Sequence, residues 1–322
     1  KSQVSWWIMT IVDVAFDFPG LASGRSSDPF VWPSFGYVDD VRSFVGEAVE
    51  QDEPLVLGTL IRADHGGPRP VGTQMAFTED ALVGYFSGGC VEADLALQAR
   101  EVLKQGRPRK VIYGRGSPYF DIQLTCGGRI EIMLERIAAS DIALERLVAA
   151  TQSRQPVLWV SNGLERHCLS DDEPVPRGWK ALVAHARQSS EFAGEIAGTF
   201  WKRFRPAIRC YVMGRDPVAM ATAALSTPVG FETVLVRPDG PSTSPPFLAH
   251  RYWRGEFPAA LQSLGVDDRT AIVVANHDVD ADLDALRVAL TSAAPYVGVL
   301  GSRRHKSARE ERLLARGVTE QQ

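Results

Sequence analysis

The last third of the chain alternates short apolar runs with helical spacing, and this alternation constrains the fold more than any other feature. Cys210-Tyr211-Val212-Met213 ends at Gly214 and leads into an Ala-rich helical stretch. Thr233-Val234-Leu235-Val236 and Thr270-Ala271-Ile272-Val273-Val274 follow. A helical pattern at Leu283, Leu286, Val288 and Leu290 then precedes a last run, Tyr296-Val297-Gly298-Val299-Leu300. Strands separated by helices pair in parallel, because each crossover lays a helix on the sheet before the chain returns. The sequence therefore predicts a Rossmann-like parallel α/β domain over residues 205–322.

The 322 residues allow about two domains. Residues 38–204 read as an α+β domain with a connecting segment. Residues 40–49 have helical spacing, and 54–61 form an apolar run that reads as a buried strand. A Gly- and Pro-rich loop over 66–72 follows, then short strands at Ala76-Phe77 and 82–86. Val91, Leu95, Ala99 and Val102 share one face of a helix over 91–104, with Gly106 as its stop. After a strand-like run at 156–160 the sequence becomes polar and poorly periodic. Residues 1–37, rich in Ser, Gly, Pro and aromatics, read as an irregular arm.

A formal charge of −4, from 35 Lys and Arg against 39 Asp and Glu, lacks the basic field that nucleic-acid binding relies on. No apolar run approaches the ~20 residues that a membrane-spanning helix needs. Residues 6–12 are apolar but are cut by Asp13 and lack a small-residue cleavage site, so they do not read as a secretory leader. Cys90, Cys126, Cys168 and Cys210 lie far apart with no CxxC pair, which points to a reducing, cytoplasmic setting.

Four constellations can carry chemistry. In Ser87-Gly88-Gly89-Cys90-Val91-Glu92-Ala93-Asp94 a glycine turn sets Cys90 at the mouth of a helix. There the helix end favours a thiolate, and exposed amides can take an anion. A bland glycine turn with a small buried Cys is the competing reading. Cys126-Gly127-Gly128 repeats the pattern ahead of an alternating strand with Ile130, Ile132 and Leu134 inward and Glu131 and Glu135 outward. Two such turns make a shared pocket with a soft sulfur ligand credible, whereas Cys168 and Cys210 lack that context. The third constellation is the turn Gly214-Arg215-Asp216-Pro217-Val218-Ala219, which keeps only the first glycine of the dinucleotide fingerprint. Asp216 stands where a pyrophosphate needs close backbone approach, and Arg237 replaces the usual acidic ribose acceptor. The fourth combines His277, which follows a parallel strand, with Gly301-Ser302-Arg303-Arg304 at the same carboxyl edge. His277 reads as an acid, base or ligand, or as a helix cap. The arginines read as phosphate contacts, or as solvated caps.

In this order, Gly72-Thr73-Gln74-Met75, Ser87-Gly88-Gly89-Cys90-Val91-Glu92, Cys126-Gly127-Gly128, Asn276-His277-Asp278 and the run from Tyr296 to Arg304 form a specific combination. Over roughly residues 38–316 the chain resembles the XdhC/CoxF (CoxI) family of xanthine and carbon monoxide dehydrogenase maturation factors. The resemblance implies an XdhC-type α+β domain before the Rossmann-like one. It implies a chaperone without turnover of its own that binds molybdenum cofactor and protects it during sulfuration by a cysteine desulfurase. The cofactor then passes to an apo-molybdoenzyme of the xanthine dehydrogenase type. A cytoplasmic homodimer is the implied setting. Carried over residue by residue, it makes Cys90 and Cys126 the family's cysteines and adds Arg69 and Gln74 from the loop before the turn. A phosphate at one end of the cofactor and a thiophilic metal at the other suit amides, arginines and thiols together. The family usually has a glycine where Asp216 stands and an acidic residue where Arg237 stands. The competing function is an NAD(P)-dependent oxidoreductase using the C-terminal domain, and Asp216 counts against it.

Overall fold

The computed structural model describes residues 40–64, 67, 69–87, 89, 91–118, 124, 127–246, 248, 251–276, 279–302 and 305–320. The predicted arm, Gly88, Cys90, Cys126, His277, Arg303 and Arg304 lie outside the described residues.

The apolar run near residue 55 becomes β1 (Leu55–Asp64), whose first seven residues are all buried. A strand buried on both faces sits mid-sheet. β1 pairs antiparallel with β2 (Gln74–Phe77) on one side and β5 (Arg129–Ile137) on the other. With β3 (Leu82–Val83) and β4 (Arg109–Gly114) they make a five-stranded sheet in the order β3-β2-β1-β5-β4. On one face α2 (Glu92–Gln105) sets Leu95, Ala99 and Val102 against Val56, Leu60, Ile130, Ile132 and Leu134. Gly106, at φ 70°, takes the left-handed turn that ends α2, as its sequence position predicts.

The opposite face is covered by α1 (Arg42–Glu50), α3 (Ile142–Gln152) and a second sheet. The polar, poorly periodic stretch is thus a folded layer. β6 (Val157–Ser161), β7 (Arg166–Leu169), β8 (Ala193–Ile196) and β9 (Thr199–Phe204) form an antiparallel sheet in the order β7-β6-β9-β8, flanked by α4 (Lys180–Gln188). Strands of four to six residues with interleaved cations leave too short a pattern to read. Trp159, Cys168, Phe200 and Phe204 share a core with Leu55, Leu57, Met133 and Ile137.

Two carboxylates placed outward are in fact buried, Glu135 by that second layer and Glu131 beneath cations of its own sheet. Glu131 and Glu135 lie on the β5 face away from α2, and they are 7% and 0% exposed. Glu131 meets Arg129 at 2.7 Å and Lys110 at 3.5 Å. Glu135 accepts from the Ser161 hydroxyl, with Arg166 at 3.5 Å. Its burial raises the carboxyl above the usual range despite that cation.

The C-terminal part has the predicted parallel sheet. β10 (Arg209–Gly214), β11 (Glu232–Val236), β12 (Arg251–Trp253), β13 (Thr270–Ala275) and β14 (Tyr296–Val299) run in the order β12-β11-β10-β13-β14. The connecting helices are α5 (Pro217–Ser226), α6 (Phe257–Leu264) and α7 (Val279–Leu290), and α8 (Lys306–Leu314) follows β14 and packs against α7. The chain builds outward from β10 in one direction and then restarts at β13, so strand order reverses between them. Ligands of such sheets bind at the carboxyl ends flanking that reversal.

Arg154, just past α3, ties the antiparallel layers to the parallel sheet. Its guanidinium reaches Asp267 at 2.8 Å, Glu232 at 2.5 Å and the Ala207 carbonyl at 3.2 Å. It holds a left-handed backbone (φ 56°) while doing so. Among the described residues no helix is long and apolar enough to cross a membrane.

Candidate functional site

The glycine turn between β3 and α2 is organised by one carboxylate. Glu92, the first residue of α2, accepts hydrogen bonds from the Phe86 N–H (2.8 Å), the Ser87 N–H (2.6 Å) and the Ser87 hydroxyl (2.7 Å). The Gly89 N–H (2.8 Å) and Val91 N–H (3.2 Å) donate to it as well. Burial pushes this carboxyl up, but the hydrogen bonds from Ser87 and Phe86 outweigh it and hold the group at about 2. The turn is therefore an anion nest already filled by its own side chain. For the Ser87, Gly89 and Val91 amides this corrects the expectation that the turn is free to cradle a phosphate. It also fixes the two neighbours of Cys90, since Gly89 and Val91 both donate to Glu92. Gly89 is exposed at φ +126°, with open space beside it. The backbone there needs glycine, and nothing crowds the position next to the cysteine.

Arg69 joins this turn. Its guanidinium lies 4.6 Å over the Tyr85 ring, and Nη1 donates to the Tyr85 hydroxyl at 3.0 Å. Gly127 and Gly128 reach the same end of the sheet. Gly114, at φ +85° on the end of β4, has no room for a Cβ against the Gly128 carbonyl, so the two strands' turns meet backbone to backbone. One residue earlier, the Tyr113 hydroxyl donates to Asp94 in the first turn of α2 at 2.5 Å. Phe86, Val91, Tyr113, Leu124 and Ile130, which flank the two turns, belong to one core. The structure thus gathers Arg69, Ser87, Gly89, Glu92, Gly127 and Gly128 around a common support.

Gln74 is placed elsewhere. It is fully buried, its Nε2 donates to the Thr59 hydroxyl at 3.1 Å, and its Oε1 accepts from Lys202 at 2.8 Å. A carboxamide spent at both ends braces β2 against β9, which takes Gln74 out of the candidate site. Cys168 and Cys210 are buried free thiols. Burial pushes them up to about 12 and about 11, so both are inert at neutral pH, as packed cysteines are.

The carboxyl edge of the parallel sheet is the second locus. Gly214 ends β10 in contact with Ala275 of β13, where a side chain would strike the Ala275 carbonyl. Asp216 caps α5, accepting from the Ala219 N–H at 2.7 Å. A carboxylate therefore occupies the helix end that a pyrophosphate would use. Arg237 extends past β11 to within 3.8 Å of the Met220 sulfur on α5. Asn276, after β13, is 8% exposed, and its Nδ2 has no partner among the described residues. Gly301 and Ser302 are exposed beyond β14, and the Arg309 guanidinium packs on Gly301. The predicted cleft between the Cys90 turn and the edge bearing His277 and Arg303 depends on residues outside those described. Sequence reasoning quoted Asp94 and Asn276 only within their motifs and gave no site role to these or to Tyr85, Tyr113 and Arg309. Tyr85, two residues before Ser87, was the one in plain view. Among the described residues no group of three or more His, Cys, Asp or Glu can hold a metal ion.

Fold and site together define a two-part protein in which a glycine turn held by Glu92 on an antiparallel sheet accompanies a Rossmann-type sheet with an altered phosphate turn. Residues 48–114 match the XdhC and CoxI family, and residues 210–322 match the XdhC Rossmann domain. The chain is 33% identical over 279 residues to the molybdenum cofactor insertion chaperone PaoD of Escherichia coli K12, covering 85% of this chain and 76% of that protein. It belongs to the XdhC and CoxI family. Its fold is shared with a structure described as a xanthine dehydrogenase from Bacillus halodurans, at a TM-score of 0.66 and 24% identity, over 86% of this chain and 85% of that one.

Proposed function

We propose that this chain is a molybdenum-cofactor carrier that protects the cofactor during sulfuration and inserts it into a xanthine dehydrogenase-type apo-enzyme, without turnover of its own. Its kinship with PaoD supports the carrier role. The observation that carries the reading in this molecule is the pinning of Gly89 and Val91 by Glu92, which presets the backbone on both sides of Cys90. In this reading Cys90 and Cys126 receive the metal end as thiolates. Arg69 and the carboxyl-edge residues His277, Gly301, Ser302, Arg303 and Arg304 receive the phosphate or nucleotide end, since the Ser87, Gly89 and Val91 amides are already engaged. A cysteine desulfurase is the partner that supplies sulfur, a homodimer is the working form, and the setting is cytoplasmic. The NAD(P)-dependent oxidoreductase reading is disfavoured by Asp216, which caps α5 where a dinucleotide phosphate would sit.

The test incubates the purified chain with freshly released molybdenum cofactor, with NADH and NADPH as competitors, and measures molybdenum and pterin retained through a desalting column. Stoichiometric retention, unchanged by nicotinamides and sharply reduced in Cys90→Ala at an unchanged melting temperature, is the expected result. Wild-type retention by Cys90→Ala would remove the thiol from the mechanism. Nicotinamide binding in place of pterin would replace the carrier reading with the redox one.

A further inference from the structure

A polar cleft lies away from both loci just described. It has a volume of about 660 Å³ and lies where the four-stranded sheet meets the parallel one, beside Arg154 and Asp267. Pro206 leads into β10 and Arg269 into β13, so this cleft opens at the amino ends of the parallel strands. The carboxyl edge, with Gly214, Asn276 and Gly301, is at the other end of the same sheet.

Its lining carries more positive charge than its acids neutralise. Arg154 is committed to Asp267 and Glu232. That leaves Arg187, Arg203, Arg205 and Arg269 against two exposed carboxylates, Asp171 and Asp268. Arg187 donates to the Ser170 carbonyl at 3.0 Å and stands 4.0 Å from Asp171. Arg203 donates to the Ala186 carbonyl. The Arg205 guanidinium lies 4.7 Å over the Phe192 ring, a cation–π contact, and among the described residues its N–H groups make no hydrogen bond. Among the described residues the Arg269 side chain donates only through Nε, to the Pro206 carbonyl at 3.3 Å. Among the described residues neither Arg205 nor Arg269 has a carboxylate within ion-pair distance. Planar forks with free terminal N–H groups fit the oxygens of a phosphoryl group two at a time. The volume falls in the range of small-ligand clefts, roughly 300–1,000 Å³, and is concave where a protein partner would want a broader face.

We propose that this cleft binds a small phosphorylated ligand, with Arg205 and Arg269 gripping its phosphoryl oxygens from the two sheets it joins. A ligand held by both sides braces the junction that Arg154 already ties. The site is separate from the cofactor loci and does not depend on the carrier reading.

The probe is sodium pyrophosphate, titrated calorimetrically into the full chain at constant ionic strength. One-to-one binding is expected, weakened about tenfold or more in the Arg205→Gln, Arg269→Gln double variant. A second double variant, Arg100→Gln with Arg312→Gln, removes the same charge from exposed helix faces and keeps wild-type affinity. Melting temperatures confirm that each variant folds. The proposal is overturned by an absence of saturable binding to the wild type. It is equally overturned if the first double variant binds like wild type, or if the second loses affinity to the same extent.

Discussion

Replacing Glu92 with Gln tests the filled nest directly. The carboxylate collects four backbone N–H groups and one hydroxyl. A carboxamide keeps one accepting oxygen and turns its NH2 toward the remaining donors. Holding this carboxyl at about 2 instead of 4.5 corresponds to roughly 3 kcal/mol of linkage at neutral pH. Discounting for solvent at a half-exposed turn leaves about 2 kcal/mol. Because the folded value is depressed, this stability is fully present above 4.5 and drains away as the pH falls from 4.5 toward 2. Glu92→Gln should therefore be about 2 kcal/mol less stable than wild type at pH 7 by urea denaturation, and the gap should shrink to less than half by pH 3. Amide exchange at residues 86–91 should accelerate in the variant at pH 7, and cofactor retention should fall with it. Equal stability at pH 7, or a gap that does not narrow in acid, would refute the assignment of Glu92 as the anion that holds the turn.

Two further substitutions probe the supports. Gly114→Ala places a Cβ against the Gly128 carbonyl at a left-handed φ, so it should cost more than about 1 kcal/mol in urea denaturation and lower cofactor retention by displacing the Gly127–Gly128 turn. Burial lowers the Lys202 amine from 10.5 to about 8, with Asp40 opposing the shift; Lys202→Met should lack the wild type's gain in stability between pH 8 and 10.5, and a parallel pH profile for the two proteins would contradict it.

Local signals carried much of the architecture. The run at 55–61 was long and apolar enough to mark a buried strand, and Gly106 marked the end of α2. The parallel sheet followed from strands spaced by helices. What stayed hidden depends on contacts between distant segments. Glu135 looks solvent-facing by alternation because nothing near it in sequence announces that Ser161 and Arg166 will cover it. Gln74 sits in a motif that resembles a family signature, yet its environment is set by Lys202, 128 residues away. Glu92 reads as ordinary first-turn acid until the loop folds back on it. In the site, residue types and neighbours were legible. Which donors were already spent was not, because that is decided by side-chain direction.

Asp216 decides how the Rossmann-type sheet can be used. Its carboxylate caps α5 through Ala219, so the positive end of that helix is already neutralised by a resident anion. A dinucleotide phosphate would meet like charge there as well as a side chain in the way. Glycine at this position removes both obstacles and costs only a few tenths of a kcal/mol, since glycine is itself an acceptable cap. Gly214 already provides the close approach to β13, and Arg237 stands at the end of β11 where an acid would otherwise select an unphosphorylated ribose. Asp216→Gly should therefore gain measurable binding of NADPH in preference to NADH, followed by nicotinamide fluorescence, while the wild type shows neither. If the wild type binds NADH as tightly as the variant does, the capping carboxylate does not exclude nucleotides, and the altered turn cannot be what separates this sheet from a dehydrogenase.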